Sequence, residues 1–358
     1  MSAMTKTPPS HAGKLHVESI QTVTPAKLTE LGTTRPVNHP GPPSAWFLQT
    51  HLRVVLYYKP TFEGESGYAL TGWLKGSLNL ALVEDPLLAG RLRHKEGCED
   101  EWEITYNDSG VRLVEARAEV AMAEFVGSKG REEKEARLVY WKDIDDQNPQ
   151  FSALFYVQVT RFEDGGYSIG LSWSPLLADL IHMTNFLKTW SQIQKNSLQK
   201  KDEIPKTSLF HLPIMRTGHS THLSSTPLDT TPPTPHHHTT LLRLVASSGG
   251  THQKADRLRG FHVIARGRAG EVEVTGPDGP PGAEMGLSGP VEEVNWADFG
   301  AREVALGGGS EPVLSSYYVT LGGNEGLVMV MPGGGGGGGG GGGEEGVIMS
   351  VTVPMKKI

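Results

Sequence analysis

The clearest alternation of apolar and polar positions lies in the first 200 residues and predicts strands mixed with helices. Residues 52–58 form a continuous apolar run that is typical of a buried strand. In residues 68–82 the apolar positions recur at the spacing of one helix face. Those positions are Leu70, Trp73, Leu74, Leu78 and Ala81. Two short strands are predicted at 102–106 and 111–115, joined by a turn at 107–110 whose Asn, Asp and Gly tolerate positive φ.

A hairpin followed by a helix is the strongest local signal. Residues 155–162 and 167–173 flank Asp164-Gly165-Gly166 and predict paired strands. After Pro175 the apolar residues of 177–193 follow the 3.6-residue period of a helix. Functional side chains are often placed at such a strand–helix junction, so this segment is the first candidate for a site.

The pattern weakens after residue 200. Residues 226–240 are rich in Pro, Thr and His, and we interpret His236, His237 and His238 as part of a linker rather than a metal site. Apolar runs return at 313–320, 326–331 and 346–353 and predict three strands, the last two joined by the run Gly333–Gly343. The glycine run has no phosphate-binding pattern and is expected to form a loop.

These changes along the chain predict four segments. Residues 1–14 are expected to be a disordered leader, and 15–200 an N-terminal domain. Residues 201–292 are expected to be a low-complexity linker or eroded region. Residues 293–358 are expected to be the remnant of a C-terminal domain that contains the glycine loop 333–343.

Charge and cysteine content exclude several classes of protein. The formal net charge is −7, without the basic bias of a nucleic-acid-binding protein. Cys98 is the one cysteine, so an internal disulfide and a multi-cysteine metal site are excluded. No apolar run reaches the length of a membrane span. We therefore expect a cytoplasmic monomer with no membrane span, no bound metal and no nucleic-acid partner.

Several motifs together resemble the plant BAHD acyltransferases, which move an acyl group from coenzyme A to an alcohol or amine. The resemblance covers residues 15–200 and returns more loosely from about Val294. The motifs are RVVLYY at 53–58, LLAGRL at 87–92, NDSGVRLVEA at 107–116 and VQVTRFEDGGYSIGLSWSPLLAD at 157–179. The resemblance implies an α+β fold of two chloramphenicol-acetyltransferase-like domains with mixed sheets and flanking helices. The second domain is expected to be truncated.

The resemblance also places the family's H-x-x-x-D motif. In the family the histidine takes the proton of the attacking hydroxyl, and the aspartate holds the loop. Here the aspartate position is Asp179 and the histidine position is Pro175, which carries no base. The nearest histidine, His182, is expected to be an ordinary helix residue, with a role as substitute base as the alternative. Ser174 has no base in register.

A second family motif, D-F-G-W-G, is structural and shapes the coenzyme A channel. Asp298-Phe299-Gly300 is followed by Ala301-Arg302 and is interpreted as a decoy. The register set by Trp296 places the motif at 305–309, where only Gly307, Gly308 and Gly309 agree with it. These three glycines are the expected remnant of the cofactor-binding segment.

One branch of the family, the Eceriferum/Glossy-type proteins of wax synthesis, carries segments similar to 107–116, 170–173 and 323–332. That resemblance implies a non-catalytic accessory factor that helps a fatty-acid condensing enzyme, in association with the endoplasmic reticulum. Two alternatives stay open. One is an active acyl-CoA-dependent O-acyltransferase that transfers acyl groups other than amino-acyl groups. The other is a degenerate, truncated gene product. For the accessory factor and the transferase, acyl-CoA is the expected partner or substrate, and no cofactor is expected to be bound.

Overall fold

The computed structural model describes most of the first 199 residues and separate strands beyond them. The described ranges are 14–30, 32–38, 44–60, 67–199, 237–244, 261–267, 272–276, 291–306, 310–332 and 347–354. Most of the predicted leader and the whole glycine loop 333–343 lie outside these ranges. His236 also lies outside the described ranges.

Among the described residues, a six-stranded mixed sheet forms the first layer, in the order β1-β6-β7-β8-β3-β13. Its strands are β1 (Leu15–Val23), β3 (His51–Tyr58), β6 (Val111–Ala118), β7 (Phe155–Arg161), β8 (Tyr167–Trp173) and β13 (Leu314–Thr320). The pair β6–β7 is parallel, and the other neighbours are antiparallel.

A second mixed sheet has nine strands within the described ranges, in the order β12-β9-β15-β14-β10-β11-β2-β5-β4. The strands from the first half of the chain are β2 (Thr34–Asn38), β4 (Arg91–Lys95) and β5 (Cys98–Thr105). The others are β9 (His237–Leu244), β10 (Phe261–Arg266), β11 (Val272–Thr275), β12 (Val291–Val294), β14 (Gly326–Pro332) and β15 (Val347–Pro354).

Two long helices cover one face of the first sheet. They are α2 (Gly67–Glu84) and α5 (Leu180–Gln199), and the shorter helices are α1 (Ala45–Gln49), α3 (Met122–Gly127) and α4 (Arg131–Glu135). The Trp190 indole and the Gln194 amide of α5 both donate to the Ser77 hydroxyl of α2, at 2.8 and 2.9 Å. The main apolar core lies on this face, and a smaller cluster around Tyr57 and Leu138 lies on the opposite face. We call these the helix face and the outer face.

Most predicted elements are confirmed, because their apolar period reports burial directly. The predicted strand 52–58 is β3, all of which is buried, and the predicted helix 68–82 is α2. The hairpin is β7–β8 with Gly165 at φ 80°, and β13, β14 and β15 match the three late strands. Two mixed sheets with few helices confirm the α+β class.

The two strands around residues 107–110 do not pair with each other. β5 belongs to the second sheet and β6 to the first, so the turn carries the chain between sheets. Its backbone is as predicted, with Asp108 at φ 52° and Gly110 at φ 80°. A Cβ on Gly110 would lie 2.6 Å from the Val23 carbonyl oxygen, so the crossing needs glycine. The period of each strand was correct, but it does not encode the partner strand.

The predicted segments and the sheets follow different boundaries. Strands β9 to β11 lie within 201–292, where the sequence predicts a linker, and β12 overlaps its end. Each of these strands has only a short apolar alternation, and Gly- and Pro-rich stretches separate one from the next. The sequence therefore shows no period long enough to predict them. The division of the chain into segments at 200 and 292 stays a prediction.

Candidate functional site

The strand–helix junction predicted as the site is a tight loop at 174–179, which we call the junction loop. It leaves the end of β8 and enters α5, and every residue in it is buried. The Ser174 amide donates to the Leu154 carbonyl at 2.9 Å, and the Trp173 indole donates to the Ala178 carbonyl at 3.0 Å. Buried backbone polar groups need such partners, so these contacts stabilise the loop in the observed conformation.

Asp179 begins α5 and holds the loop at the same time. Its Oδ1 accepts a hydrogen bond of 2.8 Å from the His182 amide, as expected of an N-cap residue. Its Oδ2 lies 2.9 Å from Nε of Arg266, which comes from β10 in the second sheet. Both side chains are buried, so this carboxylate joins the junction loop to the second sheet.

Two arginines bind the carbonyl groups of the junction loop. Nη2 of Arg266 donates to the Pro175 carbonyl at 3.2 Å. Nη2 of Arg35, on β2, donates to the Leu176 and Leu177 carbonyls at 2.7 Å each. Burial, followed by the charge of Arg266, lowers the pKa of Arg35 to about 9, and burial lowers the pKa of Arg266. Arg35 therefore remains cationic at neutral pH, and Arg266 lies opposite the Asp179 carboxylate.

The residues predicted at the H-x-x-x-D positions differ in what they offer chemically. Pro175 contributes its carbonyl oxygen to Arg266 and has no group that takes a proton. The Ser174 hydroxyl is buried and accepts from the Leu176 amide at 3.3 Å. Within the junction loop, all of which is described, Asp179 is the one ionisable side chain, and it is ion-paired.

His182 lies on the first turn of α5, outside the junction loop. Its Nε2 is 2.5 Å from Oδ2 of Asp85, at the end of α2, and its side chain is 29 % exposed. The sequence offered no sign of this pair, because Asp85 and His182 lie 97 residues apart in the chain. The arrangement is a carboxylate–imidazole pair that joins α2 to α5, and the role of His182 as a substitute base stays a prediction.

The segment 296–306 packs against the first sheet and α5. The Trp296 indole donates to Thr184 Oγ1 at 2.9 Å, and the Ala305 amide donates to Ser191 Oγ at 2.9 Å. Tyr167, on β8, donates to the Leu306 carbonyl at 3.1 Å. The three glycines that follow, Gly307, Gly308 and Gly309, lie outside the described residues, so their predicted role stays a prediction.

Sequence reasoning missed Arg35 and Arg266 as site residues. They lie 141 and 91 residues from the carbonyls that they bind, in segments where only Pro-rich or weak patterns were visible. In the described part of the chain, no group of three His, Cys, Asp or Glu side chains is placed to hold a metal ion. None of its helices has the length and apolar character to cross a membrane.

The chain is similar to a known protein family and to several known proteins. A family profile described as the Transferase family matches residues 44–237. The chain is 29 % identical over 213 residues to Protein ECERIFERUM 26-like of Arabidopsis thaliana, covering 56 % of this chain and 48 % of that protein. It is 34 % identical over 104 residues to Protein ECERIFERUM 2 of the same plant, covering 29 % of this chain and 25 % of that one.

The chain therefore spans about half or less of the length of these curated relatives. Among solved structures it is similar to vinorine synthase, with a TM-score of 0.50 and 16 % identity over 95 % of each chain. At that identity the likeness concerns the fold alone, and it agrees with the predicted α+β fold built on mixed sheets.

Proposed function

The chain belongs to the Transferase family, the BAHD acyltransferases, and on that basis we propose that it is a non-catalytic accessory factor in very-long-chain fatty-acid elongation for cuticular wax. Two relatives that carry the name ECERIFERUM support the link to wax synthesis. The partners under this proposal are a fatty-acid condensing enzyme and acyl-CoA, at the endoplasmic reticulum.

The observation that carries the non-catalytic part is Pro175. By the family resemblance this position belongs to the general base, which must remove a proton from the acceptor hydroxyl. A proline side chain cannot do so, and the rest of the junction loop offers only the ion-paired Asp179. The loop is nevertheless held by Arg35 and Arg266, so the scaffold is retained without the base.

Co-expression in yeast with a condensing enzyme tests the accessory role. Fatty acids are extracted and their chain lengths compared with those from the condensing enzyme alone. We expect longer acyl chains with the wild-type chain and an equal shift with Pro175→Ala, because no proton transfer at residue 175 is required. Unchanged chain lengths, with the protein present at normal levels, contradict the accessory role.

The non-catalytic part is tested on the purified chain. Acyl-CoA and a panel of alcohols are added, and free coenzyme A is measured with a thiol reagent. We expect no release above the protein-free rate for the wild-type chain. Pro175→His reports on the rest of the site, because release gained by that variant alone means that substrates still bind.

An active O-acyltransferase is the second candidate, and the His182–Asp85 pair favours it. An aspartate that accepts from one ring nitrogen orients the imidazole and leaves the other nitrogen to take a proton. This candidate predicts release of coenzyme A that falls at least about a hundredfold in His182→Gln. His16→Gln is the matched control, since His16 lies 3.4 Å from Glu119 in another histidine–carboxylate pair.

A further inference from the structure

A cleft opens on the outer face of the first sheet, and its lining among the described residues includes no member of the junction loop. Its floor is built by three adjacent strands, β1, β6 and β7, and its wall by residues 140–153. It holds about 460 Å³ of empty space, part of it open to solvent. The lining residues are Ile20, Arg112, Tyr140, Lys142, Phe151, Ser152, Ala153 and Tyr156.

Strand register places the floor residues on one face. Arg112 on β6 is the direct partner of Tyr156 on β7, and Thr22 on β1 is the partner of Arg112. Ile20 lies two residues before Thr22 and therefore points to the same side. Leu113 and Val157, the next residues along β6 and β7, point to the opposite side and belong to the main core.

The polar lining consists of cations and hydroxyl groups. Arg112 and Lys142 carry positive charge in a chain whose net charge is −7, and among the described residues no carboxylate lines the cleft. The two neighbouring aspartates have partners of their own. Asp143 accepts a hydrogen bond from the Trp141 indole at 2.9 Å, and Asp145 Oδ1 accepts one from the backbone amide of Gln147 at 3.0 Å. Ser152 Oγ accepts from the Asp145 amide, which leaves its own hydrogen to donate. The lining therefore favours a ligand that accepts hydrogen bonds and carries negative charge.

The rim is apolar and exposed. Phe151 is 77 % exposed and Ile20 is 47 % exposed, and both line this cleft. Large apolar side chains that flank one concavity favour an apolar ligand part, whereas scattered ones carry no such meaning. The ring of Tyr140 in the wall lies with its centroid 5.4 Å from that of Tyr156, the floor residue paired with Arg112.

We propose that this cleft binds a small amphipathic anion, whose carboxylate or phosphate head contacts Arg112 and Lys142 and whose apolar body packs on Ile20 and Phe151. This site is separate from the junction loop and does not depend on whether the chain transfers acyl groups. Its chemistry suits the head and first carbons of an acyl acid or an aryl phosphate.

Isothermal titration calorimetry of the full chain tests the proposal with four probes. Phenyl phosphate and 3-phenylpropionate carry a head and a body, inorganic phosphate is a head alone, and benzyl alcohol is a body alone. We expect at least one amphipathic anion to bind at least about fivefold more tightly than either partial probe, with affinity falling as salt is raised. Whichever of phenyl phosphate and 3-phenylpropionate binds more tightly shows whether the cleft prefers a phosphate or a carboxylate head.

Two substitutions assign the binding to the cleft. Lys142→Gln and Phe151→Ser are each expected to lower the affinity for the preferred probe about fivefold. Lys129→Gln is the matched control, because Lys129 is also exposed and lies outside the lining. Circular dichroism checks that each variant is folded. The proposal is overturned if no amphipathic probe binds, if inorganic phosphate binds equally well, or if Lys142→Gln and Lys129→Gln behave alike.

Discussion

Asp179 shows how one side chain fulfils two structural requirements. Its two carboxylate oxygens are used separately, one for the start of α5 and the other for the buried ion pair with Arg266. Removing one partner of a buried pair is costly, because the charge left behind has lost its solvent and its counter-ion. The carboxylate is therefore needed for the fold whether or not the loop takes part in chemistry.

Substitutions at Asp179 are expected to separate these two contributions. Asp179→Asn keeps a cap acceptor and removes the charge, and we expect a loss of about 3 kcal/mol in the free energy of unfolding. Asp179→Ala also removes the cap and is expected to lose about 1 kcal/mol more. Urea unfolding followed by circular dichroism measures both values. Equal losses in the two variants would mean that the cap contributes nothing.

β8 is the element on which the junction loop depends. It lies between β7 and β3, and the turn at 136–138 crosses its outer face. A Cβ on Gly170, at the middle of β8, would lie 1.9 Å from the Leu138 carbonyl oxygen. The close approach of two backbones therefore requires glycine at this position.

Gly170→Ala is expected to destabilise the protein by about 3 kcal/mol, because the turn at 136–138 must move away from β8. Gly72→Ala, in α2, is the matched control, since a Cβ there meets nothing within 4 Å. In a helix interior this change is expected to stabilise by about 0.5 to 1 kcal/mol. Thermal unfolding of the two variants gives the comparison. A similar effect of both substitutions would contradict the role of the close approach.

At the scale of the molecule, the two sheets exchange strands between distant parts of the sequence. β13, from residues 314–320, completes the first sheet beside β3. In the other direction, β2, β5 and β4 extend the second sheet through the parallel pair β2–β11. Arg35 and Arg266 add polar links from the second sheet to the junction loop. Each half of the chain therefore covers sheet edges of the other.

A fragment of residues 14–200 tests this dependence. It lacks β13 on the edge of β3 and keeps only β2, β4 and β5 of the second sheet, so it exposes unpaired edges and apolar faces. We expect it to aggregate or to unfold without a cooperative transition, and co-expression with residues 201–358 to restore soluble complex. Size-exclusion chromatography and thermal melts measure both. A monomeric fragment with a cooperative melt would instead support a domain boundary at residue 200.

The amino-acid sequence by itself determined the elements with strong periods, the family and the proline at position 175. A continuous apolar run such as 52–58, or a helical stripe such as that of α5, records burial locally, so no tertiary information is needed. The Asp-Gly-Gly turn likewise specified the β7–β8 hairpin, because positive φ is a local requirement.

Only the tertiary structure decided which surfaces these elements meet. The sequence predicts a strand at 102–106 but not the sheet that β5 joins, and nothing near Arg35, Arg266 or Asp85 in the sequence indicates a partner. Buried ion pairs and carbonyl contacts join residues that are distant along the chain, and their energy depends on geometry that no local pattern contains. The sequence alone therefore shows that position 175 carries no base. The arginines that hold its loop could be identified only from the tertiary structure.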